Sequence, residues 1–177
     1  MIQARAKPRL LLFIDRIKTP IGELAIVADD EGRLRAMEWT EHDDRMHRSL
    51  RLHYGADGYA LKARRDPAGI GTAMRAYFGG NLTVIDRLKV ATGGTDFQKS
   101  VWSALRTIPC GETITYATLA ERVGRPAAVR AAGHANGDNP ISVVVPCHRV
   151  IGSNGSLTGY GGGIERKRWL LAHEKGK

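Results

Sequence analysis

Three short apolar stretches open the chain. Residues 10–17, 23–28 and 33–39 read as strands. Thr19-Pro20-Ile21-Gly22 and Asp29-Asp30-Glu31-Gly32 supply the turn residues between them. That spacing predicts an antiparallel meander. The period then changes. Asp66-Pro67 has the form of a helix N-cap and first helical position, and Ile70, Ala73, Met74 and Tyr77 follow at helical spacing until Gly79-Gly80 stops the run. Ala91-Thr92-Gly93-Gly94 has the composition of a linker. It divides the chain into an α/β domain over 1–92 and a second domain over 93–177.

The second half is read as mostly helical. Thr95-Asp96-Phe97-Gln98 fits a capping box, and Phe97, Val101, Leu105 and Ile108 then line one face up to Pro109-Cys110-Gly111. A second helix is expected over 115–123, closed by Gly124, and a third over 126–135, with Pro126 at its first position. Two short helices joined by Gly-Arg-Pro make a helix-turn-helix candidate, for which plain helix packing is the bland alternative. The third helix holds Ala127, Ala128, Ala131, Ala132 and Ala135, small residues that allow close approach. Residues 141–145 read as a short buried strand, and a last helix starts near Ile164.

Composition narrows the classes. The 177 residues carry 27 Lys plus Arg against 18 Asp plus Glu, a net charge of +9. The charge is spread: 16 basic and 12 acidic residues over 1–92, 11 and 6 over 93–177. It is compatible with a polyanionic partner but does not name one. The longest apolar run, residues 10–14, is far below the ~20 residues a membrane span needs. Arg5, Lys7 and Arg9 precede it in the manner of an export signal, but Asp15 and Arg16 end it too early, so a cytoplasmic location is expected. Two cysteines, Cys110 and Cys147, sit in no C-x-x-C pair, which argues against a cysteine zinc site or a disulfide framework.

Chemistry concentrates near the end of the chain. The expected strand stops at Pro146 and delivers Cys147, His148 and Arg149. Thiolate is the nucleophile, and a neighbouring histidine can take the thiol proton. Adjacent strand residues face opposite ways, so His148 serves Cys147 only if Pro146 distorts the backbone or a water bridges the two. Otherwise both are ordinary core residues. Residues 152–163 then hold six glycines in twelve positions, a stretch that lets backbone approach a ligand, or a flexible loop. It has no Lys-Ser/Thr ending, which excludes a phosphate loop. Glu174 sits at the C-terminal end of the last helix, where a carboxylate opposes the dipole. A carboxylate there can orient His148 by the logic of a triad.

Pro146-Cys147-His148-Arg149-Val150, with Asn139-Pro140 before it and Gly159-Tyr160 after it, resembles the O6-alkylguanine-DNA alkyltransferases. Ile114-Thr115-Tyr116, Arg130-Ala131-Ala132-Gly133 and Trp169-Leu170-Leu171-Ala172-His173-Glu174 extend the likeness over the second half. The first half, with Ala91-Thr92-Gly93-Gly94-Thr95, is similar to the bacterial constitutive form.

The resemblance implies an α+β fold: an RNase H-like antiparallel sheet with helices, then a mostly helical domain with the helix-turn-helix. It implies direct, irreversible transfer of the alkyl group from O6-alkylguanine, and O4-alkylthymine, in duplex DNA to Cys147, once per molecule after nucleotide flipping. Cys147, His148 and Glu174 match the family relay. Asn139 matches a residue bracing the reactive turn. Tyr116 matches the tyrosine that crowds the phosphate and gives a proton toward guanine N3. Arg130 would replace the flipped base, with Ala131 and Gly133 on the same minor-groove helix. Tyr160, the backbone of Val150 and the N–H of Gly161 would line the guanine pocket. Gly161 stands where some relatives carry Ser, and Thr158 with the glycine loop would widen the pocket. No cofactor and no zinc are expected, Cys110 is read as structural, and the protein is expected to be a monomer. A lesion-binding protein without transfer is the nearest alternative, and Cys147 argues against it. A helix-turn-helix transcription factor leaves residues 146–149 and the glycine loop unexplained.

Overall fold

The computed structural model describes residues 8–176. Arg5 and Lys7, part of the export-like start, lie outside the described residues. Three strands form where the apolar stretches predict them: β1 (Leu10–Thr19), β2 (Gly22–Asp29) and β3 (Leu34–Trp39). They pair antiparallel, with Ile17 opposite Leu24 and Ile26 opposite Met37. A fourth strand, β4 (Tyr59–Ala63), joins the other edge parallel to β1, giving the order β3-β2-β1-β4. The first three strands are the antiparallel meander expected, and β4 makes the sheet mixed, where an antiparallel sheet was expected throughout. The helix α1 (Asp43–Tyr54) makes the crossover that a parallel neighbour requires.

Both faces of the sheet are covered. Leu24, Ile26 and Ala28 face a large cluster that includes Ile70, Met74 and Tyr77 of α2 (Ile70–Phe78). Ala25 and Val27 face a smaller one with Leu12, Ala36 and, from α1, Met46 and Leu50. That explains the unbroken apolar run of β2, which a half-solvated strand would not show.

The second half contributes α3 (Asp96–Leu105), α4 (Tyr116–Arg122), α5 (Val129–Gly137) and α6 (Ile164–Glu174). A parallel pair of two-residue strands, β5 (Ile114–Thr115) and β6 (Val150–Ile151), accompanies them. The capping box is present in full: Thr95 Oγ1 accepts from Gln98 N–H and the Gln98 side chain accepts from Thr95 N–H. Trp102 Nε1 donates to Ala135 O at 2.8 Å and ties α3 to α5. The large cluster runs on from the sheet into this half through Ile141, Val143, Val145 and Leu170.

Three expectations change locally. Asp66-Pro67 begins a short 3-10 turn, not α2 itself. Asp66 is left-handed (φ 44°), Pro67 opens a 3-10 turn, and α2 starts only at Ile70. Asp66 still caps α2, because its carboxylate accepts from Thr72 N at 3.0 Å and Thr72 Oγ1 at 2.6 Å. The third helix begins at Val129, not Pro126. Ala128 N–H donates to Arg125 O at 2.8 Å, so Pro126 lies inside a turn. Residues 141–145 form no strand. Only Ile141 pairs, beside Met37; the chain then coils, with Val143 left-handed (φ 70°). The side chain of Asn139 supplies the missing partners: its Nδ2 donates to Val145 O (2.7 Å) and Ile141 O (3.2 Å), and its Oδ1 accepts from Ile141 N–H. Among the described residues no helix is long and apolar enough to cross a membrane.

Candidate active site

Pro140 and Ser142 bond to the β3 edge through Met37 (Met37 N–H to Pro140 O, 3.0 Å; Ser142 N–H to Met37 O, 2.8 Å). The chain leaves that anchorage through the Asn139-braced coil and enters a 3-10 turn, Cys147–Arg149. All three residues of the turn are buried, Cys147 with 7% of its surface exposed. A tight turn removes the strand objection: successive side chains no longer point to opposite faces.

Helix α6 brings Glu174 to this turn. The carboxylate lies 2.8 Å from His148 Nε2, accepts Arg149 Nε and Nη2 at 2.8 Å each, and accepts the Tyr77 hydroxyl at 2.7 Å. Arg149 Nη1 donates on to Ile108 O at 2.6 Å. Burial pushes the Glu174 carboxyl up, but the hydrogen bonds from His148 and Arg149 outweigh it and hold the group well below the usual carboxylate range. Burial pushes His148 down, against the pull of Glu174. An ionised carboxylate only accepts, so the imidazole proton sits on Nε2. That leaves Nδ1 bare, and it has no protein partner among the described residues. The site therefore offers a neutral imidazole with a free acceptor, one residue along the turn from a thiol. Burial pushes the Cys147 thiol up, and the nearby Asn139 amide, Lys167 ammonium and Arg45 guanidinium pull it back.

The glycine loop closes over the turn. Lys167 is fully buried on α6, its ammonium donating to Val150 O (2.6 Å) and Thr158 O (3.0 Å). Tyr116, first residue of α4, donates its hydroxyl to the same Thr158 carbonyl at 2.9 Å. Tyr160 is buried, and its hydroxyl has no partner among the described residues. The first half reaches into this wall. A side chain at Gly162 would meet Trp39 Nε1 and the Tyr160 ring, and one at Gly161 would meet the Arg45 guanidinium, which pairs with Glu38.

Cys147, His148, Glu174 and Asn139 thus come together, with Tyr116, Val150, Tyr160 and Gly161 around them. Arg130 and Ala131 stand apart, exposed on the outer face of α5, and Gly133 packs toward the Tyr116 ring. Tyr77, Arg149 and Lys167 complete the site, and sequence reasoning missed them. Arg149 had a signal, a charged residue in an otherwise apolar stretch. Tyr77 had the helical spacing of any core residue, and Lys167 had none. Among the described residues no group of three or more His, Cys, Asp or Glu is placed to hold a metal ion.

The geometry can be set beside known proteins. Residues 96–176 match the family described as 6-O-methylguanine DNA methyltransferase, DNA binding domain. A Shigella flexneri protein named methylated-DNA–protein-cysteine methyltransferase is 54% identical over 165 residues, covering 93% of this chain and 96% of its own. A Mycobacterium tuberculosis protein of the same name is 45% identical over 163 residues, covering 91% of each. A crystal structure of Mycobacterium tuberculosis OGT in complex with DNA superposes with a TM-score of 0.77 at 42% identity, over 94% of this chain and 93% of that one.

Proposed function

Because the chain belongs to the methylated-DNA–protein-cysteine methyltransferase family, we propose that Cys147 takes the alkyl group of O6-alkylguanine, and of O4-alkylthymine, from duplex DNA in a single irreversible turnover. The observation that carries this reading is the His148–Glu174 hydrogen bond of 2.8 Å, which leaves His148 Nδ1 free to accept next to a buried cysteine. His148 takes the thiol proton through a bridging water, and Glu174 stabilises the imidazolium that forms. The thiolate attacks the alkyl carbon. The S–C bond forms as the C–O6 bond breaks, and the electron pair stays with the base. In net terms the thiol proton replaces the alkyl group on guanine. Tyr116 exchanges its Thr158 carbonyl for guanine N3 and delivers a proton there, which makes guanine a better leaving group; the proton held by His148 then restores the Tyr116 phenol through water. The product thioether is not hydrolysed, so the protein is consumed.

The reactive O6 lies inside the base stack, so the nucleotide must leave it, at a cost of about a few kcal/mol. In this reading α4 and α5 act as a helix-turn-helix, with α5 in the minor groove. Arg130, Ala131 and Gly133 face the DNA there, and Arg130 fills the vacated place. Tyr160 forms a wall for the extruded base, the carbonyls of Cys147 and Val150 accept from its amino group, and Gly161 N–H reaches O6. Residues 93–177 carry both tasks, and an RNase H-like domain over 1–92 supports them. The protein acts as a cytoplasmic monomer and needs no cofactor.

Intact-mass spectrometry after incubation with an O6-methylguanine duplex tests this. The expected result is one methyl group per molecule, on the peptide that holds Cys147, with no further turnover. Cys147→Ser should bind the duplex and transfer nothing. An unmodified wild-type protein that still binds the lesion would replace transfer by lesion binding.

A further inference from the structure

Tyr77 belongs to α2, in the half of the chain that holds neither the cysteine nor the DNA-facing helix. Its ring is fully buried and meets Phe78 and His173 edge-on at 5.2 Å. A phenylalanine would fill that space as well. What the ring adds is a hydroxyl, and the hydroxyl is aimed at Oε1 of Glu174, 2.7 Å away. The Tyr77 carbonyl lies 2.8 Å from His173 Nε2, so a second contact to α6 holds the same residue in place. Oε1 is thus shared by three donors: the Tyr77 hydroxyl, His148 Nε2 and Arg149 Nη2.

We propose that Tyr77 is a positioning residue for alkyl transfer: from the first half of the chain it fixes the Glu174 carboxylate against His148 and sets how strongly that carboxylate holds a proton on the imidazole. The inference rests on the reading of Cys147, His148 and Glu174 as the proton relay. Each donor to Oε1 draws off negative charge that His148 would otherwise feel. Burial and Glu174 keep the Tyr77 phenol protonated, so it stays a donor through the working range. The charged and titratable groups around the His148–Glu174 pair come from several elements: Arg149 and Cys147 from the turn, Lys167 from α6, Tyr77 from α2, and Cys110 from the loop after α3, while His173 of α6 turns to the Tyr77 carbonyl. Arg149 and Lys167 act with Tyr77 to keep the imidazole neutral, which is the form that can receive the thiol proton. Without the hydroxyl, Oε1 has two donors, His148 becomes more basic, and the carboxylate loses its contact with α2.

The test is the pH dependence of single-turnover transfer from an O6-methylguanine duplex, with wild type and Tyr77→Phe run in parallel. The acid limb of Tyr77→Phe should lie about 0.5–1 pH unit above that of the wild type, roughly half the displacement of about 1–2 units that a directly lost hydrogen bond to a charged group would give, because the loss reaches His148 only through Glu174. On the acid limb its rate should fall roughly three- to tenfold below wild type at the same pH, while duplex affinity is unchanged. A superimposable acid limb, whatever happens to the melting temperature, overturns the proposal. Site-specific 3-fluorotyrosine at position 77 provides the converse and does not depend on Tyr77→Phe folding. It keeps the ring and strengthens the donor, so the limb should move down; an unmoved limb again overturns the proposal. A wild type that transfers nothing would instead refute the relay itself, and the two failures are told apart by that control.

Discussion

Gly161 and Gly162 adjoin in the wall of the site but face different neighbours. A Cβ at Gly162 would stand 2.5 Å from Trp39 Nε1 and 2.6 Å from Tyr160 Cε1, both on buried rings held by the core. Neither can step aside, so Gly162→Ala should cost about 1–3 kcal/mol, the usual range for overpacking. It should also displace Tyr160 and slow transfer. The three atoms nearest a Cβ at Gly161 all belong to the Arg45 guanidinium, a flexible end, so Gly161→Ser should lose less than Gly162→Ala even though turning Arg45 disturbs its pair with buried Glu38. Denaturant unfolding of the two variants checks the contrast; equal losses would contradict it. The same scale shows what could be read in advance. Cys147, His148 and Glu174 were legible because a nucleophile, a base and a misplaced carboxylate are each odd in their local context. Lys167 was not: hydropathy assigns a lysine to solvent, and only the folded loop reveals the two carbonyls that satisfy its ammonium.

Among the elements, α5 carries the sharpest expectation. It opens at Val129, so Arg130 occupies its first turn with an exposed side chain, while Ala132 and Ala135 are buried on the opposite face. If Arg130 serves only to hold the duplex open, Arg130→Ala should slow repair of duplex DNA roughly ten- to a hundredfold, the equivalent of ~1–3 kcal/mol of lost stacking. Reaction with free O6-alkylguanine should be nearly unaffected. Equal losses on both substrates would show that Arg130 does not take part in flipping. The start of α5 was misplaced by three residues because Pro126 suits a turn as well as a first helical turn. Helix α3 was read correctly because its capping box is a local, reciprocal pattern. Helix α1 and strand β4 went unread: α1 buries only Met46 and Leu50 while Leu52 is exposed, which blurs its apolar face, and β4 is a partly exposed edge strand. The coil at 141–145 failed for the opposite reason. Its apolar run records burial, and burial alone does not distinguish a strand from a turn braced by Asn139.

At the scale of the whole molecule, the Glu174 cluster joins parts that the chain keeps far apart. Tyr77 comes from the first half, Arg149 from the reactive turn, Ile108 from the turn after α3 and Glu174 from α6. The group that orients His148 therefore also links the two halves, and protonation should weaken both roles together. His148 is depressed below its ordinary value, so the unfolded chain binds a proton that the folded one refuses, and stability falls as pH drops below about 6.5. Glu174 is depressed too. Its contribution is fully present above about 4.5 and is lost as pH falls toward its folded value. Both groups act in the same direction, so the melting temperature should decline on the acid side and steepen below pH 4.5. Glu174→Gln isolates the carboxylate's share. At pH 7 it leaves Arg149 buried without its counter-charge, which should cost on the order of 3–5 kcal/mol. The difference between wild type and variant should then narrow steadily below pH 4.5, as the wild type loses what the variant never had. A difference that stays constant down to pH 3 would mean that Glu174 is not the ionised centre of the cluster, and that the neutral, proton-accepting His148 is held by something else.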